Sequence, residues 1–248
     1  MNSGATLGRL LGRGNVAEVF EYGSDVIKLY LNGKGRESAF REASTLAAIA
    51  DSGLGVPNVR HVGEFDGRWG VVMSRAPEGE RADWSASEIA AIHCEVHRIE
   101  SGRLGSLKRK IAADISRASL LTDEDRTASM RRLEALPDGD RLCHGDFHPA
   151  NVLGSREAPF IVDWVDASCG PPEADACRTY LLALHNFPEF TAPYLDAYAA
   201  RSGVATPKIL AWLPVLAAAR LSENVPREEG RLLALARDVR PASASGRS

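Results

Sequence analysis

Arg141-Leu-Cys-His-Gly-Asp-Phe-His-Pro-Ala-Asn-Val-Leu153 and, shortly after it, Phe160-Ile-Val-Asp-Trp164 decide how this chain is read. Two short runs, Arg141 to Cys143 and Phe160 to Val162, have the character of strands. Each delivers polar groups at its C-terminal end: His144, Asp146, His148 and Asn151 after the first, Asp163 after the second. Carboxylates and an amide exposed where strands stop can hold a divalent metal and orient a hydroxyl.

Transfer of a phosphoryl group from ATP passes through a loose transition state, so a protein mainly positions groups and neutralises charge. Asp146 is the expected acceptor for the proton of a substrate hydroxyl. Asn151 and Asp163 are the expected oxygen ligands for Mg²⁺, which favours carboxylates, amide carbonyls, water and phosphate. A lone H-x-D would be an ordinary turn between two strands. The full set of His144, Asp146, Asn151 and Asp163 argues against that. The spacing H-x-D-x-x-x-x-N, then an apolar run ending in Asp, matches the catalytic loop and metal-binding Asp of kinases, with Gly145 at the Arg position.

The form H-G-D-x-H-x-x-N followed by I-V-D-W resembles the aminoglycoside phosphotransferase family, within the protein-kinase-like fold. It is less similar to protein kinases, which carry Lys two residues beyond the Asp, where this chain has His148. The resemblance spans about residues 5–238, with its specific motifs in 142–178. It implies an α+β, bilobal protein-kinase-like fold. A small β-rich nucleotide-binding lobe would cover residues 1–75, and a larger, mostly helical catalytic and substrate-binding lobe 76–239. Residues 240–248, small and polar, would be a disordered tail. ATP would lie between the lobes with Mg²⁺, and its γ-phosphate would pass to a hydroxyl of a small molecule. The family includes kinases of aminoglycosides, choline, homoserine and fructosamine.

Residues 6–30 read as a strand, a Gly-rich turn and two further strands. The turn, Gly12-Arg-Gly-Asn-Val-Ala-Glu-Val-Phe20, approximates G-x-G-x-x-G-x-V with Ala17 at the third Gly. Backbone N–H groups at Gly12 and Gly14 can approach phosphates closely. No G-x-x-x-x-G-K-[ST] occurs, which disfavours a P-loop fold. Val26-Ile-Lys-Leu-Tyr30 places Lys28 inside an apolar, β-prone run, where an unpaired ammonium is costly to bury. An edge strand with Lys28 facing water is the bland alternative. Its position one strand after the Gly-rich turn suits a phosphate-binding Lys.

Residues 37–50 read as a helix with Phe40, Ala43, Leu46, Ala47 and Ala50 on one stripe. The resemblance implies Glu42 as the carboxylate partner of Lys28, with Glu37 as rival. Val56 to Val59 and Gly70 to Arg75 read as strands, with a hairpin turn at Asp66-Gly67. Met73 to Pro77 would be the hinge, and the resemblance implies adenine contacts from backbone near Ser74 and Ala76.

From Ser85 onward the character is helical. Ile89, Ile92, Val96 and Ile99 share a face. His93 and His97 are spaced to share a metal, but H-E-x-x-H is absent and no third ligand is apparent, so a helix under the catalytic loop is expected. Residues 106–135 suggest two helices broken near Leu121, the second capped by Thr122 or Asp123. Asp175 and His144 would be scaffold for the catalytic loop, by resemblance, and Asp166 is a second-rank site residue. Residues 174–184, 191–201, 209–223 and 228–237 read as the last helices.

The chain has 248 residues, 44% hydrophobic and 25% charged, with a formal charge of −3. These values suit a globular protein and disfavour general nucleic-acid binding. Cys94, Cys143, Cys169 and Cys177 form no C-x-x-C pair and read as reduced thiols. No signal-peptide pattern opens the sequence. No apolar run reaches the roughly 20 residues of a membrane helix. A cytoplasmic small-molecule kinase with no nucleic-acid or membrane partner is therefore expected. A non-catalytic nucleotide-binding scaffold on the same fold is the alternative, and the presence of the base, both metal ligands and the Lys argues against it. A polycationic aminoglycoside would want acidic neighbours. Glu173, Glu189, Asp196, Glu223, Glu228 and Glu229 are placed to supply them, although helix-face acids are ordinarily just solvated. Choline would want an aromatic cage, which a 6% aromatic content does not suggest.

Overall fold

The computed structural model describes residues 6–14, 16–31, 35–77 and 82–238. Asn15 of the Gly-rich turn and the expected tail 240–248 lie outside the described residues. The fold is α+β, and the chain divides into two compact units. One comprises residues up to Asp83 together with Ala150–Asp166. The other comprises Trp84–Pro149 and everything from Ala167 on.

The first unit is built on an antiparallel sheet of β1 (Leu10–Arg13), β2 (Ala17–Tyr22), β3 (Asp25–Tyr30), β4 (Val59–Phe65) and β5 (Arg68–Ser74), in the order β1-β2-β3-β5-β4. Two-residue turns join β2 to β3 and β4 to β5. At the second, Asp66 and Gly67 both have positive φ (48° and 76°), the backbone a type I′ hairpin requires. β4 starts at Val59 rather than at Val56. Ile27, Leu29 and Val72 form the core on one face, with Phe20, Tyr22 and Phe65 against them. Lys28 and Tyr30 alternate to the opposite face of β3.

Helix α1 (Gly35–Ile49) buries Ala39, Glu42, Ala43, Thr45, Leu46 and Ile49. The expected stripe through Phe40, Ala47 and Ala50 is wrong by one position, since these three are exposed. The helix is rotated so that a carboxylate, Glu42, faces inward, and a hydrophobicity pattern cannot anticipate that. The unit is completed by a hairpin of β7 (Val152–Gly154) and β8 (Pro159–Ile161), in the register Val152↔Ile161. The Ile161 N–H donates to Gly55 O (2.7 Å), which ties β8 to the segment before β4.

The second unit is mainly helical: α2 (Ala86–Val96), α3 (Leu107–Arg117), α4 (Asp123–Ala135), α5 (Pro172–Asn186), α6 (Pro188–Ser202), α7 (Thr206–Leu210), α8 (Leu213–Arg220) and α9 (Glu229–Arg237). A short antiparallel pair, β6 (Arg141–Cys143) with β9 (Ser168–Gly170), lies between α4 and α5 in sequence. Ser85 with Glu88 forms a capping box on α2, and Thr122 with Asp125 forms one on α4. The triplet Asp123 to Asp125 is thus a helix start, as its charge predicts. The single helix expected over 209–223 is instead α7, α8 and a 3-10 turn. Pro214 lacks an N–H and favours the first turn of a helix, so a new helix begins there. Among the described residues no single helix is long and apolar enough to cross a membrane.

Candidate active site

In the first unit, β3 and α1 bring Lys28 against Glu42, with Nζ to Oε1 at 3.0 Å. Asp163, two residues beyond the end of β8, brings Oδ1 to 2.7 Å from the same ammonium. Lys28 is 6% exposed and Glu42 1%. Burial opposes the charge on Lys28, but the two carboxylates outweigh it and its pKa is raised. The Tyr30 hydroxyl donates to Glu42 Oε2, so both oxygens of that buried carboxylate are satisfied. Burial and the Glu42 charge push the Tyr30 phenol upward, and it stays a donor. Glu37, the rival partner, is exposed.

The hairpin fixes the other polar groups. Because Val152 pairs with Ile161 and the Val162 N–H donates to Asn151 O (2.9 Å), Asn151 and Asp163 lie at the same end of the ladder. Asp163 has φ +66°, which strains a residue with a Cβ and marks it as held by its surroundings. The Trp164 side chain, fully buried, donates to Ile161 O (2.8 Å) and anchors this strained corner.

Gly12 pairs with Val19, Val19 with Lys28 and Lys28 with Val71, so Gly12 and Lys28 stand in one cross-strand row. Two strand spacings, about 10 Å, separate them, and directly opposed residues face the same side of a sheet. A Cβ at Gly12 would meet nothing within 4 Å, so packing inside the protein does not require the glycine. Gly14 N–H donates to Ala17 O (2.9 Å) and closes the turn. At the end of β5, the Ser74 N–H donates to Asn58 O (2.9 Å) and its hydroxyl accepts from the Asn58 N–H (2.9 Å). The Ser74 N–H is therefore already bonded within the unit.

In the second unit, the loop after β6 is held by one face of α5. Asp175 accepts from the backbone N–H groups of His144 (2.6 Å, Oδ2) and Gly145 (2.8 Å, Oδ1). Thr179 Oγ1 donates to Phe147 O (2.9 Å), and Arg178 Nε donates to Gly145 O (3.3 Å). Positions 175, 178 and 179 are neighbours on a helix surface, so one helical turn grips the whole loop. Gly145 has φ +82°, which explains a glycine where the kinase pattern has Arg. Buried His144 accepts the Asp146 N–H on Nδ1 (3.2 Å). Asp146 keeps a third of its side chain exposed (33%), with His148 Nε2 at 3.7 Å from Oδ2. Burial would raise its pKa, but His148, and to a lesser degree Arg178 and His144, bring it down to about 2.

His93 and His97 point inward from α2 and are buried. The expectation that they lack a third partner of metal-ligating type is overturned: Asp175 lies within reach of both. That residue is far away in sequence, so spacing alone gave no sign of it. The His93 ring also stacks on Phe147 (centroids 4.1 Å apart), which puts α2 under the loop after β6. Tyr30, Arg178, Thr179, Tyr194 and Tyr198 are site-supporting residues that the sequence reading missed. Of the acids considered for a cationic substrate, Glu223 is paired to Arg178 (2.6 Å) and Arg220 (2.5 Å), and Glu228 to Arg220 (2.7 Å).

A sequence profile described as "phosphotransferase enzyme family" matches residues 17–213. No curated protein matches the sequence. Similar solved structures include an aminoglycoside-3'-phosphotransferase of type VIII (TM-score 0.61, 20% identity, covering 90% of this chain and 94% of that one). A thermostable mutant of aminoglycoside phosphotransferase APH(4)-Ia, in ternary complex with ADP and hygromycin B, is similar at TM-score 0.68 and 14% identity (97% and 95%). Choline kinase LicA from Streptococcus pneumoniae is similar at TM-score 0.61 and 20% identity (91% and 86%). At these identities the likeness is one of fold, the protein-kinase-like fold.

Proposed function

The chain belongs to the phosphotransferase enzyme family, and from that premise we propose that it is an ATP-dependent kinase of a small molecule bearing a hydroxyl group. The observation that carries this reading is the buried Lys28 held between Glu42 and Asp163 at 3.0 and 2.7 Å, in one row with the Gly-rich strand. A cation so placed, beside oxygen ligands at a strand end, suits a nucleotide triphosphate and its metal.

The donor set fits Mg²⁺, which takes a carboxylate and an amide oxygen and fills its remaining positions with phosphate and water. ATP supplies the transferred group, and the metal offsets its charge. Asn151 and Asp163 would hold the metal. Lys28, kept charged by Glu42, would bind phosphate oxygens, with the backbone of Gly12 and Gly14 alongside. Backbone near Ser74 and Ala76 would meet the base. Asp146 stays ionised because His148 and Arg178 favour its charge. A carboxylate of such low pKa is a weak base, so it orients the acceptor hydroxyl and takes its proton late, as a loose transition state permits.

The acceptor is a small molecule with a free hydroxyl, of the aminoglycoside-like or amino-alcohol kind. The test is ADP formation with Mg²⁺ over a panel of aminoglycosides, choline, homoserine, sugars and a macrolide, with Asp146→Asn beside it. Phosphorylation of one class, lost in the variant, supports the reading. Absence of any ATP binding refutes it.

A further inference from the structure

The five side chains His93, His97, Asp175, Tyr194 and Tyr198 form a hydrogen-bonded network in the second unit, each at most 7% exposed. Asp175 Oδ2 lies 3.0 Å from His93 Nε2 and 3.2 Å from His97 Nε2. The same oxygen accepts the His144 N–H, and Oδ1 accepts that of Gly145. On the far side of each ring, His93 Nδ1 meets the Tyr194 hydroxyl at 2.7 Å and His97 Nδ1 meets that of Tyr198 at 2.6 Å. The two histidines are four apart, His93 in α2 and His97 at its C-cap, and the two tyrosines are four apart on α6, so the elements present matched pairs.

Donor and acceptor matching selects one protonation pattern. An ionised carboxylate accepts about four hydrogen bonds, and Asp175 has four N–H groups around it once each Nε2 carries its proton. Each Nδ1 then accepts from a tyrosine hydroxyl, and no ring nitrogen is left without a role. An imidazolium would instead aim its Nδ1–H at the tyrosine oxygen and force that hydroxyl proton to turn elsewhere. A metal ion on the same three atoms would likewise need both Nε2 lone pairs and move both protons to Nδ1.

We propose that His93 and His97, as neutral imidazoles protonated on Nε2, are positioning residues for phosphoryl transfer: they hold Asp175, Asp175 holds the backbone of His144 and Gly145, and that backbone sets Asp146. The proposal rests on Asp146 serving the acceptor. Removing either ring leaves the buried carboxylate short of a donor and free to tilt, and a displacement of the loop by even a fraction of an ångström is felt at the reacting hydroxyl.

The first arm of the test is long-range proton–nitrogen NMR on the full chain with labelled histidine. Two rings with Nε2–H and bare Nδ1 near neutral pH, unchanged by EDTA, are expected. An imidazolium pattern, or a stoichiometric metal that EDTA removes, overturns the proposal. The second arm measures ADP formation from MgATP with water as acceptor in His93→Phe and His97→Phe, which keep a ring, and in the Gln variants, which restore an amide N–H donor. The Phe variants are expected to lose kcat on the order of 10²-fold with KM for MgATP unchanged, and Gln to regain most of it. A folded Phe variant with undiminished kcat, or Gln no better than Phe, overturns the proposal. Amide exchange at His144 and Gly145 is expected to quicken in the Phe variants, or in the Gln variants if the Phe forms do not fold. Unchanged exchange overturns the proposal. Asp146→Asn runs alongside: turnover retained there refutes the base assignment alone, while the spectra and the exchange rates still decide the network.

Discussion

Lys28 Nζ lies 2.7 Å from Asp163 Oδ1, although 135 positions separate the two residues in sequence. The carboxylate assigned to the metal is thus paired with the ammonium assigned to phosphate, and a bound Mg²⁺–nucleotide would satisfy both. Asp163→Ala is expected to abolish turnover and leave the protein folded, because Lys28 keeps Glu42 and Asp163 is 35% exposed. Circular dichroism and ADP release check this. Turnover near the unmodified level would remove the metal assignment.

Tyr30→Phe should destabilise the protein by about 1.5–3 kcal/mol, the range for a hydrogen bond to a charged group, because it takes a donor from buried Glu42. Urea unfolding measures it. A loss below about 0.5 kcal/mol would mean that Lys28 alone satisfies the carboxylate.

Asp146 titrates at about 2, below its ordinary 3.8. Its ionised form therefore contributes stability fully above the unfolded value, and that contribution is lost as pH falls through about 2. Turnover should show no acid limb from Asp146 above about pH 4. His148→Ala should move the titration upward, because burial then acts with less opposition. Carboxyl carbon NMR follows it, and an unmoved titration would assign the low value to Arg178 and His144.

His93 is held near 3 by burial, against an ordinary 6.5. Between those values the unfolded chain binds a proton that the folded chain does not. Stability should therefore fall as pH drops from 6.5 through 3, with a slope approaching about 1.4 kcal/mol per pH unit. His93→Phe should flatten that slope. Denaturant unfolding across mildly acidic pH decides it, and equal slopes would show that the ring keeps its ordinary affinity for protons.

The placement of Asp146 in the loop after β6, and of Asn151 and Asp163 at one end of the hairpin, was legible because residue type and spacing are restricted within one loop and one hairpin. The sheet, the Asp66-Gly67 turn and the caps of α2 and α4 follow equally local rules. The inward face of α1 was not legible from hydrophobic periodicity, which treats Glu42 as a surface charge; the resemblance alone paired it with Lys28. Nor was the third partner of His93 and His97. Asp175 lies about eighty positions away, 82 from His93 and 78 from His97. Each tyrosine lies 101 positions from its histidine. A repeated four-residue interval in two helices was the available signal, and it names a pairing only once the helices are known to touch. The break before α8 carries a sequence signal in Pro214, which the reading of 209–223 as one helix did not use.

The β7–β8 hairpin keeps Asn151 and Asp163 at one end and its connecting residues, Ser155 to Ala158, at the other. Lengthening either strand by one residue would slip the register and turn a ligand to the wrong face. Lengthening the connection would change neither, at the loss of the Arg156 contact to Asp83 O. The tip is therefore where this chain can accept foreign sequence, such as an affinity tag or a reporter peptide, with Asn151 and Asp163 left in register.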